Sequence, residues 1–155
     1  SSIKDDYDYI LLDCQPSLGM LTINALASAN SVIIPVQSEY FALRGMTDLF
    51  KIINKVRRQI NPTLKIEGAL LTLVDSRANL PKEIVSQLKD NYGSILKLFN
   101  TQIPRAVKTA ESTSSGGSVF SYDKSGRVAN AYSSFAKEVL NDGKEHTKNA
   151  TAKVR

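Results

Sequence analysis

Apolar positions along the chain occur in two spacings, and these predict its elements. Ile10, Leu11 and Leu12 form a short unbroken run, as do Val32 to Val36 and Ile66 to Val74. Runs of this length suit strands covered on both faces. Between them, apolar residues recur at helical spacing. Met20 to Ala29 predicts one helix and Gly45 to Ile60 another, with Met46, Leu49, Phe50, Ile53 and Val56 on one side. Asn61-Pro62 ends the second, because the residue before a proline is pushed out of helical space. Pro81 to Asn91 predicts a third helix with proline in its tolerant first turn. A weaker strand, Lys97 to Ile103, leads to Pro104-Arg105. A Ser- and Gly-rich loop is expected over Glu111 to Gly126, and a final helix over Val128 to Leu140.

Strand and helix thus alternate four times, which argues for βαβ units in a doubly wound, mainly parallel α/β sheet with flanking helices. Residues 1–140 are expected to form one domain, and 141–155, nearly devoid of apolar residues, a disordered polar basic tail. A central-type strand comes almost at once, as though the start of the sheet were missing.

Composition narrows the setting. With 155 residues, 42% of them hydrophobic, the chain is long enough for one real core. No uncharged apolar run approaches the roughly 18 residues of a membrane span, and Ser1 to Tyr7 lack the basic start and apolar stretch expected of a signal peptide. The single cysteine, Cys14, is expected as a packed core thiol, and no Cys/His spacing suggests zinc. A reducing, cytoplasmic setting follows. The net charge of +5 and pI of about 9.3 permit nucleic-acid binding without establishing it. Lys55, Arg57 and Arg58 read either as a solvated helix face or as a phosphate-facing patch.

In doubly wound sheets, ligands sit outside the carboxyl ends of the strands. The loops expected there are Asp13 to Gly19, Gln37 to Gly45, Asp75 to Leu80 and Pro104 to Glu111. An apolar strand ending in Asp13 is what a Walker B site requires, since it holds a carboxylate beside magnesium and phosphates. A strand-end turn or cap would use the same residue.

The run from Tyr7 through Asp13 and Ser17 to Gly19 closely resembles the Walker B segment of ParA/Soj-type partition ATPases. The likeness continues through Met20 to Leu26, Ile34 to Gly45, Ile66 to Thr72, Ile103 to Arg105, Ser121 to Gly126 and Ala136 to Val139. The resemblance implies a P-loop NTPase-like fold with its N-terminal part missing, and a protein serving chromosome or plasmid partition. It implies that Asp13 organises Mg²⁺, that Glu39 approaches nucleotide across a homodimer interface, and that Asp75 and Pro104 line the adenine pocket. It also implies that Arg77 and Lys108 hold DNA, with Arg105 beside them. ATP, Mg²⁺, non-specific DNA and a ParB-like centromere-binding protein are the implied cofactors and partners, at the nucleoid in the cytoplasm and not at a membrane.

Three departures stand out. Gln15 replaces the first proline of the family's Cys-Pro-Pro-Ser. Lys108 stands where arginine is common, keeping the charge but losing the bidentate fork. The segment from Ala110 to Ser118 diverges from the family's. No Gly-x-x-x-x-Gly-Lys-[Ser/Thr] phosphate loop occurs in these residues, so this polypeptide alone is not expected to hydrolyse ATP. The alternative is a non-catalytic DNA- or partner-binding module derived from that fold. A MinD-like or nitrogenase-reductase-like enzyme is a third reading. The lack of a cysteine pair and of an amphipathic membrane helix after Leu140 counts against it.

Overall fold

The computed structural model describes residues 6–15, 17–38, 42–75, 80–106, 111, 114, 116–152, with side chains omitted for 42–44, 80–82 and 143–152. In chain order the elements are α1 (Met20–Ser28), β1 (Ser31–Gln37), α2 (Ala42–Gln59), β2 (Lys65–Val74), α3 (Leu80–Tyr92) and β3 (Leu98–Pro104), followed by α4 (Val119–Tyr122) and α5 (Arg127–Ala152). Among the described residues the strands form one three-stranded parallel sheet in the order β1-β2-β3. It is an α/β fold of crossover units, as the alternating pattern predicts.

The chain divides into two compact units. The first comprises residues 1–32 and 44–67. Leu26 of α1, Leu64, and Met46, Phe50, Ile53 and Val56 of α2 are buried there. The spacing of those α2 residues places them on one stripe. Asn61 links the helices: its side-chain amide donates to the carbonyls of Leu26 at 3.0 Å and Ala29 at 2.8 Å, satisfying acceptors at the end of α1. Its own N–H donates to Val56, so α2 ends where the Asn61-Pro62 signal places it.

The second unit comprises residues 33–43 and 68–155. Its centre is β2, in which Gly68, Ala69, Leu70 and Leu71 are buried in succession, the mark of a strand covered on both faces. β1 alternates instead, with Ile34 and Val36 buried and Pro35 exposed, a position open to proline in the first strand of the sheet order. Leu70, Phe99, Ile103 and Val128 form a core cluster, with Phe135 and Val139 packed against it from α5. Phe99 and Phe135 meet edge to face, their centroids 5.0 Å apart. Gly68 is needed for close approach: a Cβ there would meet the Lys97 carbonyl oxygen at 2.8 Å and the Phe99 ring at 3.0 Å.

β3 departs from regular pairing. Ala69 pairs with Leu98 but Leu71 with Gln102, so β3 carries extra residues between these points. There the N–H groups of Asn100 and Thr101 both donate to the Glu138 carboxylate of α5, at 2.8 and 3.0 Å. Burial pushes the Glu138 carboxyl up, but these N–H groups and the Lys97 charge outweigh it and hold the group below its ordinary 4.5. Lys97 also pairs with Asp142, one turn further along α5.

Three expectations are corrected here. The segment from Tyr7 to Gln15 is not a strand: it has no regular structure, and Tyr9, Ile10, Leu11 and Leu12 are exposed, Leu11 to 89%. A strand exists only through pairing, and among the described residues none pairs with this segment. Cys14, expected in a core, is exposed with it. The last helix does not end at Leu140 but runs to Ala152, through most of the segment read as a disordered tail. Glu138 and Asp142 fasten it to β3 and the residue preceding that strand, partnerships no local pattern displays.

Candidate functional site

The carboxyl ends of β1, β2 and β3 are tied together in the second unit. Ser38, just beyond β1, is buried; its N–H donates to the Thr72 carbonyl at 3.1 Å and its hydroxyl to the Leu73 carbonyl at 3.0 Å. Leu73 adopts a φ of 53°, left-handed space that a non-glycine residue enters at a cost of about 1–3 kcal/mol. The pairing register shifts between Leu71 and Val74, so the irregularity sits at the last turn of the strand before Asp75. On the other side the N–H of Arg105 donates to the Val74 carbonyl at 3.0 Å, and Val74 pairs with Pro104. Asp75, Pro104 and Arg105 are thereby brought to one sheet edge, where doubly wound folds bind ligands.

A cleft of about 430 Å³ opens here, lined by Val74, Gln102, Pro104, Arg127, Asn130 and Ser134. Val74 and Pro104 supply an apolar surface; the others supply amides, a hydroxyl and one positive charge. Arg127, Asn130 and Ser134 come from the first two turns of α5. The turn before that helix is set by Gly126, where a Cβ would stand 3.0 Å from the Asp123 carbonyl oxygen and closer still to its carboxylate. The Asn130 side-chain amide donates to the Ser125 carbonyl at 3.0 Å, holding turn and helix together.

Sequence reasoning singled out Pro104 and missed the other polar residues of the cleft. Their signal was available: polar residues at 127, 130 and 134 recur at helical spacing beside the apolar positions 128, 135 and 139. α4 was likewise read as loop, though Ser118 caps it by accepting from the Ser121 N–H at 3.2 Å.

Asp13 lies in the other unit, exposed within the irregular stretch before α1. The loop after it is fixed at its far end. The Thr22 hydroxyl donates to the Ser17 carbonyl at 2.6 Å, and the Gly19 carbonyl accepts the Ile23 N–H at 3.1 Å as α1 begins. Glu39, Arg77 and Lys108 lie outside the described residues. No helix among the described residues is long and apolar enough to cross a membrane.

Known proteins are similar to this chain in sequence, and a solved structure is similar in fold. A family model described as an AAA domain matches residues 1–66. The chromosome-partitioning ATPase Soj of Treponema pallidum is 45% identical over 140 residues, 90% of this chain and 54% of that protein. The chromosome partitioning protein ParA of Myxococcus xanthus is 42% identical over 135 residues, 87% of this chain and 47% of that one. The chain spans about half the length of the curated relatives it matches. A crystal structure of cobyrinic acid a,c-diamide synthase from Mycobacterium smegmatis with bound ADP and magnesium superposes with a TM-score of 0.76. It is 34% identical, over 92% of this chain and 50% of that one.

Proposed function

We propose that this chain, a homologue of the Soj/ParA chromosome-partitioning proteins, is the C-terminal part of an ATP- and magnesium-dependent DNA-partitioning ATPase. The observation that carries this is the identity of 40–45% to Soj and ParA proteins, sustained over most of the chain. The sheet edge adds support, because β2 and β3 end side by side at Val74 and Pro104, on the side of the sheet where doubly wound folds bind ligands. In this reading the complete protein dimerises on ATP, binds duplex DNA without sequence preference, and lets go after hydrolysis stimulated by a ParB-like partner. It works in the cytoplasm, at the nucleoid.

The residues present fit these groups. Asp13 offers an exposed carboxylate, and Mg²⁺ keeps several waters and needs few protein oxygens. Magnesium bound there would neutralise phosphate charge. The cleft beside Pro104 combines apolar surface with amide groups, the chemistry that holds a heterocyclic base. Asp75 and Pro104 line the base pocket and Glu39 reaches nucleotide across the dimer. Arg77, Arg105 and Lys108 neutralise DNA phosphates.

The test is nucleotide-dependent DNA binding by the complete protein. Retention of an unrelated duplex is expected with ATP and magnesium, and its loss with ADP or excess EDTA. Equal retention in all three conditions would reject the reading.

A further inference from the structure

The outward face of the second half of α2 is cationic. Lys51, Asn54, Lys55, Arg58 and Gln59 line an open groove of about 500 Å³. Every one of these side chains carries N–H donors, three are positively charged, and no carboxylate lines the groove. Asp48, at its end, hydrogen-bonds Lys51 at 2.9 Å, and that bond followed by its charge raises the Lys51 pKa above 10.5. Among the described residues no carboxylate pairs with Lys55, Arg57 or Arg58. The opposite face of the helix is buried through Met46, Phe50, Ile53 and Val56, so the helix cannot rotate to hide these charges.

From Lys51 to Arg58 the helix rises about 10.5 Å, a length along which duplex DNA presents about six phosphate charges. A trough of that length with three cations and no carboxylate suits a continuous row of acceptor oxygens. It does not suit an apolar ligand, nor a single small anion that one lysine would satisfy.

We propose that the groove on α2 is a second phosphate-tracking surface, contacting the backbone of duplex DNA through Lys55 and Arg58. Lys51 is engaged by Asp48, and Asn54 and Gln59 serve as neutral donors. The inference rests on the partition-ATPase reading but uses none of the residues assigned there, Arg77, Arg105 or Lys108. Its contacts go to phosphate and carry no sequence information.

The complete protein is titrated with a fluorescein-labelled duplex of arbitrary sequence, with ATP and magnesium, at several salt concentrations. Lys55→Glu with Arg58→Glu is expected to weaken binding at least tenfold. The wild-type plot of log affinity against log salt should exceed that of Lys55→Ala with Arg58→Ala in slope by about two, since each phosphate contact contributes about 0.9. The charge-keeping pair Lys55→Arg with Arg58→Lys should restore affinity, which a merely misfolded variant would not predict. Unchanged affinity and slope in the charge-reversed variant, with wild-type binding intact, overturns this inference alone. Failure of the wild type to bind duplex at low salt overturns the partition reading and this one with it. Retained duplex binding with lost binding to polyglutamate would assign the groove to an acidic protein partner and overturn the proposal equally.

Discussion

The hydroxyl of Ser38 donates to the carbonyl of Leu73 at 3.0 Å, fastening the end of β1 to a residue in left-handed space. Ser38 is buried, so Ser38→Ala leaves that carbonyl without its partner. A loss of about 1–2 kcal/mol is expected in urea unfolding of the complete protein. No change in the unfolding midpoint would mean that the bond adds nothing to holding the sheet edge.

Leu73 itself yields a contrast. Leu73→Gly relieves a conformation that glycine enters freely and removes a side chain already 36% exposed. Stability should stay within about 1 kcal/mol of wild type. Leu71→Gly, two positions away and fully buried, should lose more than about 3 kcal/mol. Equal losses at the two positions would contradict the strain assigned to Leu73.

The Glu138 clasp predicts a pH dependence. Its carboxyl is held below 4.5 in the folded protein, so its stabilisation is present above the unfolded value and lost as pH falls through the folded one. Glu138→Gln should therefore cost about 1 kcal/mol at pH 7, small because the site is open to water. The difference from wild type should shrink as pH falls below 4.5 and through the lowered folded value. A gap independent of pH throughout the acid range would point to packing rather than ionisation.

Asp13 offers no such structural cost, since it is exposed. Asp13→Ala in the complete protein is expected to lower ATP turnover by on the order of a hundredfold or more, with the unfolding midpoint unchanged. Near-normal hydrolysis would remove it from the magnesium site.

Arg77→Glu combined with Lys108→Glu should weaken binding to unrelated duplexes about equally, as expected of phosphate contacts. A variant that bound one sequence normally and lost another would assign these residues to base edges instead.

Much of the fold was legible because its elements are self-evident locally. The apolar run of β2 and the stripe of Met46, Phe50, Ile53 and Val56 specify their elements in the sequence itself. The segment from Tyr9 to Asp13 has an equally apolar run, yet pairing depends on a neighbour that its own residues do not encode. Leu73 was hidden for another reason: leucine carries no sign of left-handed backbone, and a bulge arises from a mismatch of register between strands. At the candidate site, Pro104 stood out only through the resemblance to partition ATPases. Gln102, Asn130 and Ser134 became visible only once α5 was laid beside β3.

The clasp between α5 and β3 bears on assembly as well as on stability. β3 is the last strand in the sheet order, and terminal strands invite a further strand from another molecule. With Glu138 holding the N–H groups of Asn100 and Thr101, the donors that would template such an addition are already taken at mid-strand. Strand addition at that point is therefore opposed. Opening the clasp, by acid or by mutation, would free those two donors.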